Sequence, residues 1–155
     1  MAVLKDAADA DRDPQHEQFT LSGWVDTAPF EDLLQMQIVS AVDGQAVLRM
    51  PFTVKHAMGA GLMHGGALTS LADTAVAMAI KSLLPPGTHF ATVDLQARFL
   101  APVKSGEVRA EAQVRGPQGR DFNGEATLFD EDGVEVYRFS SRFRVARGQG
   151  FDDQG

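Results

Sequence analysis

Between Gly66 and Leu84 nearly every helical turn presents apolar side chains: Ala67, Leu68, Leu71, Ala72, Ala75, Val76, Met78, Ala79, Ile80 and Leu83. A helix that is apolar most of the way round is a core element rather than a surface one. Pro85-Pro86-Gly87 ends it, since proline supplies no N–H and clashes with the preceding turn. Upstream the pattern has period two. Ala46, Leu48 and Met50 alternate with Val47, Arg49 and Pro51, while Met36, Ile38 and Val39 run into Val42. Asp43-Gly44 between these runs is a tight-turn signal, so 36–51 reads as a hairpin. Pro29 through Gln35 suits a short helix, with proline in the first turn and Glu31 and Asp32 near its positive end.

Beyond the long helix, alternation predicts strands over 89–99, 106–115, about 121–129 and 134–145, the last two joined by a turn at Glu131-Asp132-Gly133. Residues 52–65 form a connection rich in Gly and Met. A hairpin, one long apolar helix (about 65–84) and a run of antiparallel strands indicate an α+β fold, a curved antiparallel β-sheet wrapped around the central helix. The polar, acidic stretch 1–18 is expected as a flexible N-terminal arm, 19–146 as a single domain, and the Gly-rich 147–155 as a flexible tail.

At 155 residues the chain is the size of one domain with a real core. Cysteine is absent, which excludes a thiol nucleophile, disulfides and Cys-based metal sites. A formal net charge of -7 repels nucleic acid and anionic membrane. No apolar run reaches membrane-spanning length, and the N-terminus carries neither the apolar segment of a secretory signal nor the basic character of a mitochondrial presequence. A cytoplasmic protein with no nucleic-acid or membrane partner is the expectation.

His16, His56, His64 and His89 show no ligand spacing, so no metal is expected. Gly59-Ala60-Gly61 followed by Gly65 lacks the βαβ units that a dinucleotide turn requires. There is no Gly-x-Ser-x-Gly elbow either.

Two features remain. Asp73 is the one carboxylate in the apolar helix, and its neighbours at three and four residues' distance are Thr69, Ser70, Val76 and Ala77, none of them a cation. It is either paired with a distant arginine or helix terminus, or it does chemistry. His64-Gly65-Gly66 opens the same helix, where unpartnered N–H groups and the positive dipole end suit a carbonyl that becomes an oxyanion. Read alone, the glycine pair could equally serve only the sharp turn into the helix. Together the two features favour an electrophile-polarising helix start and a carboxylate that attacks or activates water. Asp73 lies eight residues past Gly65, about 12 Å along the axis. Two copies, the Gly65 end of one facing Asp73 of the other, could serve one carbonyl, so a two-fold dimer with composite sites is expected.

The stretch His64-Gly65-Gly66-Ala67-Leu68 through Leu71-Ala72-Asp73-Thr74-Ala75, with Thr92-Val93-Asp94-Leu95, Phe99-Leu100-Ala101-Pro102 and the turn at Gly106, resembles the hotdog-fold acyl-CoA thioesterases. The likeness is greatest to the PaaI-like, phenylacetyl-CoA branch and runs over about residues 29–145. It implies a homodimer, often a dimer of dimers, that hydrolyses an acyl-CoA to a carboxylate and CoA with no further cofactor. It also implies that Asp73 is the catalytic carboxylate, that Gly65 N–H binds the thioester oxygen, that His64 helps to position it beside Gly66, and that the Thr92 hydroxyl aids water placement. Related enzymes often carry Asn or Gln six residues before the histidine. Here that position is Met58, which cannot hold a carboxylate or water.

CoA phosphates need cations, and Arg98, Lys104, Arg115, Arg120, Arg142 and Arg144 could supply them. The resemblance implies contacts from Phe99 to Lys104 and from the Arg115–Arg120 hairpin. Phe30, Leu34, Met58, Met63, Leu83 and Phe90 are candidates for an acyl pocket, with core packing as the alternative. Two other readings stay open: a non-catalytic acyl-CoA-binding module, and a hotdog hydratase or dehydratase, although no His-Phe-Pro-Gly run is present.

Overall fold

The computed structural model describes residues 1–12 and 18–150. Pro14, His16 and the last five residues of the expected tail lie outside the described residues. Two strands near the N-terminus, β1 (Val3–Leu4) and β2 (Phe19–Thr20), pair antiparallel. They precede α1 (Pro29–Leu33), β3 (Gln37–Val42), β4 (Gln45–Pro51), α2 (Gly65–Lys81), β5 (Phe90–Phe99), β6 (Glu107–Gln118), β7 (Asp121–Phe129) and β8 (Glu135–Val145). The last six strands form one antiparallel sheet in the order β3-β4-β6-β7-β8-β5. The sheet packs against α2 as the alternation predicts: Ala46, Leu48 and Met50 of β4 are buried opposite Leu71, Ala75 and Ile80 of the helix core. A methyl group at Gly124 would stand 2.2 Å from Val76 Cγ1, so this glycine lets α2 settle directly on β7.

The hairpin turn falls at Asp43-Gly44, both at positive φ (51° and 77°), the conformation that matches the twist of paired strands. The helix stops at Lys81 rather than running to Leu84. Ser82 caps it, and Leu83 and Leu84 only turn back to the Ile80 carbonyl. The strand expected to end at 115 runs on to Gln118, past a register shift after Arg115.

Residues expected as a free arm are partly tied down. Besides the β1–β2 pairing, the Met1 amino group meets the Asp26 carboxylate, and Ala2 N–H donates to Asp32 Oδ2 (2.9 Å). Asp26 also accepts from Ser22 N–H, Ser22 Oγ and Thr27 N–H, and the Met1 ammonium with these bonds holds its carboxyl below the usual range. At the other end, Ala146 N–H bonds His89 O, and His89 N–H bonds Gln149 Oε1. No described helix is long and apolar enough to cross a membrane.

The loop before α2 is fixed by a buried histidine. His56 Nε2 lies 2.7 Å from the Leu34 carbonyl, which can only accept, so Nε2 carries the proton. Nδ1 then accepts from Thr53 N–H (3.1 Å) and faces the Thr53 hydroxyl at 2.9 Å. The His56 carbonyl accepts His64 N–H at 2.7 Å, and Val103 O accepts Met63 N–H at 2.9 Å. The chain therefore enters α2 from a clamped position.

Candidate active site

The sequence presents α2 as apolar all round, but its packing leaves one stripe uncovered. Gly65, Thr69, Asp73, Ala77 and Lys81, spaced one turn apart, are only half-buried, whereas Leu68, Leu71, Ala72, Ala75, Val76 and Ala79 are buried. Asp73 stands at the centre of that stripe. Thr92 Oγ1 on β5 donates to Asp73 Oδ1 at 2.8 Å. Among the described residues the carboxylate has no ion-pair partner, and Oδ2 has no hydrogen bond. Burial pushes the carboxyl above its ordinary value, and the Thr92 hydrogen bond partly opposes that. A desolvated carboxylate held through one oxygen, its other oxygen free, is suited to proton abstraction or attack.

The helix start is equally organised. His64 is the N-cap, and its Nδ1 accepts Gly66 N–H at 2.8 Å, so the Gly66 amide is spent inside the protein. Ala67 and Leu68 N–H reach back to His64 O. Gly65 N–H is left without a partner among the described residues, at the positive end of a 17-residue helix. Phe99 lies against it: a Cβ on Gly65 would be 2.9 Å from Phe99 Cε1. Phe99 packs edge-on against Tyr137 (5.1 Å between centroids). The Tyr137 hydroxyl donates to Thr69 Oγ1 at 3.0 Å, and Thr69 donates to Gly65 O at 2.9 Å. Each element of the glycine tip is thus held except the Gly65 N–H.

Past Asp73 a cleft of about 560 Å³ opens between the second half of α2 and the start of β5. Trp24, Ala77, Lys81, Phe90, Thr92 and Phe143 form its walls. Trp24 Nε1 donates to Lys81 O (2.9 Å) and Lys81 Nζ to Trp24 O (3.1 Å), with the ammonium 4.7 Å from the indole centroid. Of the residues expected in an acyl pocket, only Phe90 is here. Met63 is buried core, Leu34 and Leu83 pack onto the core, and Phe30 is exposed elsewhere. Met58 is partly exposed, its backbone closing a turn with Leu62. Trp24 escaped the sequence reading because no local periodicity ties it to a helix end 57 residues away, and Phe143 is legible only as an inward position of the last strand.

The expected CoA cations fall into two groups that one protomer does not bring together. Lys104 follows Val103, which is bonded to Met63 beside the glycine tip. Arg115 and Arg120 belong to the β6–β7 end, where Gly44 adjoins Val114 and Leu83 beyond the other end of α2. Arg120 donates to Val145 O (3.2 Å), Arg144 pairs with both oxygens of Asp121, and Arg142 with Asp94. Arg98, Lys104 and Arg115 have no carboxylate partner among the described residues.

A family model described as the thioesterase superfamily matches residues 60–137, half of the chain and the whole stretch from the glycine tip to Tyr137. A candidate esterase of Halobacterium salinarum is 34% identical over 99 residues, covering 61% of this chain and 65% of that protein. The proofreading thioesterase EntH of Klebsiella pneumoniae is 32% identical over 84 residues, 54% of this chain and 61% of the enzyme. The chain thus matches a little under two thirds of these relatives' length. Among solved structures, a conserved protein of Pseudomonas aeruginosa superposes with a TM-score of 0.74 at 28% identity, covering 77% of this chain and 95% of that one. The PaaI protein from the phenylacetic acid degradation operon of E. coli gives 0.72 at 27% identity, covering 79% and 88%.

Proposed function

The chain belongs to the thioesterase superfamily and has its hotdog fold, and from that premise we propose that it hydrolyses an acyl-CoA thioester at a site completed by a second copy of itself. The observation that carries this reading is the Asp73–Thr92 pair: a half-buried carboxylate with no cation partner among the described residues, held by a threonine that itself lines the cleft with Trp24, Phe90 and Phe143. The unpartnered Gly65 N–H of the partner subunit binds the thioester oxygen and stabilises the oxyanion that forms there. Asp73 either attacks the carbonyl carbon or takes a proton from water that does so. The C–S bond then breaks, CoA leaves with a proton, and the acyl group becomes a carboxylate. No cofactor beyond the CoA of the substrate is required.

Two features support the second copy. On β5, the edge of the sheet, Leu95 and Phe99 face the helix side yet are 42% and 58% exposed. Apolar groups on an inner face are normally covered, and a partner's edge strand and helix would cover these. A two-fold passing near Thr69, midway between Gly65 and Asp73, sets each glycine tip opposite the other chain's carboxylate. The same operation joins Lys104 of one copy to Arg115 of the other around one CoA. The acyl group enters the cleft of Trp24, Phe90 and Phe143, whose rings suit an aromatic or aliphatic acyl chain.

Met58, standing where related enzymes carry an amide, favours a second reading: a module that binds acyl-CoA without hydrolysing it. Thiol release from a panel of acyl-CoAs separates the two. Hydrolysis that falls about 100-fold or more in Asp73→Asn supports the enzyme. Binding without turnover, unaffected by that substitution, supports the module.

A further inference from the structure

Lys81, the last residue of α2, is half-buried and lines the cleft past Asp73. A lysine at a helix end suits the negative end of the dipole, and a surface one does so with its ammonium in water. This one lies against an aromatic wall instead. Its Nζ is 4.7 Å from the Trp24 ring centroid and donates to Trp24 O at 3.1 Å, which leaves two of its three N–H groups without an acceptor among the described residues. Glu31 and Asp26 act on its charge from a distance, but neither lines the cleft, and Asp26 is already engaged by Met1, Ser22 and Thr27. Burial pushes the ammonium below the ordinary lysine value, and those two carboxylates partly oppose that.

No Asp or Glu is among the described residues that wall the cleft, and the side chains beside Lys81 include Trp24, Ala77, Phe90 and Phe143. The passage is thus mostly apolar, with a poorly solvated positive charge at the end away from Asp73. A neutral acyl chain filling it would strip more water from that charge and return nothing, whereas a carboxylate would pair with it. Length narrows the choice. Lys81 is eight residues past Asp73, about 12 Å along the axis. Helix side chains lean towards the N-terminus, so the lysine covers about one turn of that distance, about 5 Å. The remaining span of about 7 Å is that of an extended chain of about six carbons, at about 1.5 Å per bond.

We propose that Lys81 selects acyl groups that end in a carboxylate, so that the preferred substrate is the mono-CoA thioester of a dicarboxylic acid of about six carbons. This rests on the thioesterase reading above and names the substrate class of the same cleft. The distal carboxylate accepts from the two free N–H groups of Lys81 while the thioester carbonyl lies at Asp73. Hydrolysis breaks the C–S bond and releases the dicarboxylate and CoA.

The test compares kcat/KM for adipoyl-CoA and hexanoyl-CoA, equal in carbon number and different only at the far end, in the parent and in Lys81→Met. Methionine keeps an apolar stem and removes the charge, and the ratio of the two substrates cancels any change in the amount of folded protein. The parent is expected to favour adipoyl-CoA about tenfold, and Lys81→Met to lose that preference. A parent that hydrolyses hexanoyl-CoA at least as well as adipoyl-CoA overturns the Lys81 role and leaves the thioesterase standing, and this arm needs no variant. A preference that Lys81→Met retains within about twofold has the same consequence. A parent chain that releases no thiol from any acyl-CoA overturns both.

Discussion

Thr92 reaches from the edge strand to Asp73 at the centre of α2, and its 2.8 Å hydrogen bond is the one that carboxylate accepts among the described residues. The contact joins residues 19 apart in sequence and ties the uncovered stripe of the helix to the uncovered edge of the sheet. What each residue does to the other sets the first two predictions.

Burial raises the Asp73 carboxyl above its ordinary value, so the folded chain binds that proton more tightly than the unfolded chain does. Ionisation therefore costs stability once the pH exceeds the unfolded value of about 4. Asp73→Asn is expected to melt higher than the parent at neutral pH, with the difference shrinking as the pH falls from the raised folded value and gone by about 4. Calorimetric melting across pH checks it; a lower melting point at neutral pH contradicts it.

The Thr92 hydroxyl pulls the same carboxyl down. Removing it in Thr92→Ala leaves burial unopposed, so Asp73 should titrate at higher pH. The acid limb of the kcat profile is expected to shift upward, and an unmoved limb would count against the pairing.

Arg115 has no carboxylate partner among the described residues, whereas Arg120 already holds the Val145 carbonyl. Arg115→Ala should therefore raise KM for acyl-CoA about fivefold, as the loss of about 1 kcal/mol of charge contact implies, with kcat little changed. Arg120→Ala should lower thermal stability as well. Steady-state kinetics and melting curves on the two variants separate these effects.

Trp24 walls the cleft past Asp73. Trp24→Ala should lower kcat/KM for an aromatic acyl-CoA about tenfold relative to acetyl-CoA. The ratio between two substrates cancels any loss of folded protein caused by freeing the Lys81 carbonyl. An unchanged ratio would place the acyl group elsewhere.

Most of the sheet was legible because its signals are local. Asp43-Gly44 demands positive φ, and Ala46, Leu48 and Met50 need only alternate to name an inner face. Asp73 and Gly65 were legible for a similar reason: a carboxylate in an apolar run and glycines at a helix start break a pattern. The stripe on α2 was not, since Ala77 and Thr69 look like core in sequence and are uncovered only because the sheet leaves them so. Trp24 carries no periodic signal, and its surroundings come from the distant end of α2. That the Gly66 amide is taken by the His64 side chain two residues away is a geometry that spacing does not reveal.

The shared site is tested most directly by complementation. Gly65 is the first residue of α2, where proline is tolerated and only the N–H is lost, with the exposed Phe99 ring as the neighbour that must yield. Gly65→Pro and Asp73→Asn chains, each inactive alone, are refolded together in equal amounts. If each site takes Asp73 from one chain and Gly65 from the other, half of the dimers are mixed and each mixed dimer holds one intact site. About a quarter of the parent activity should return. Activity that stays at the level of the separate variants, in dimers shown by mass spectrometry to have exchanged, would contradict a site built across two chains.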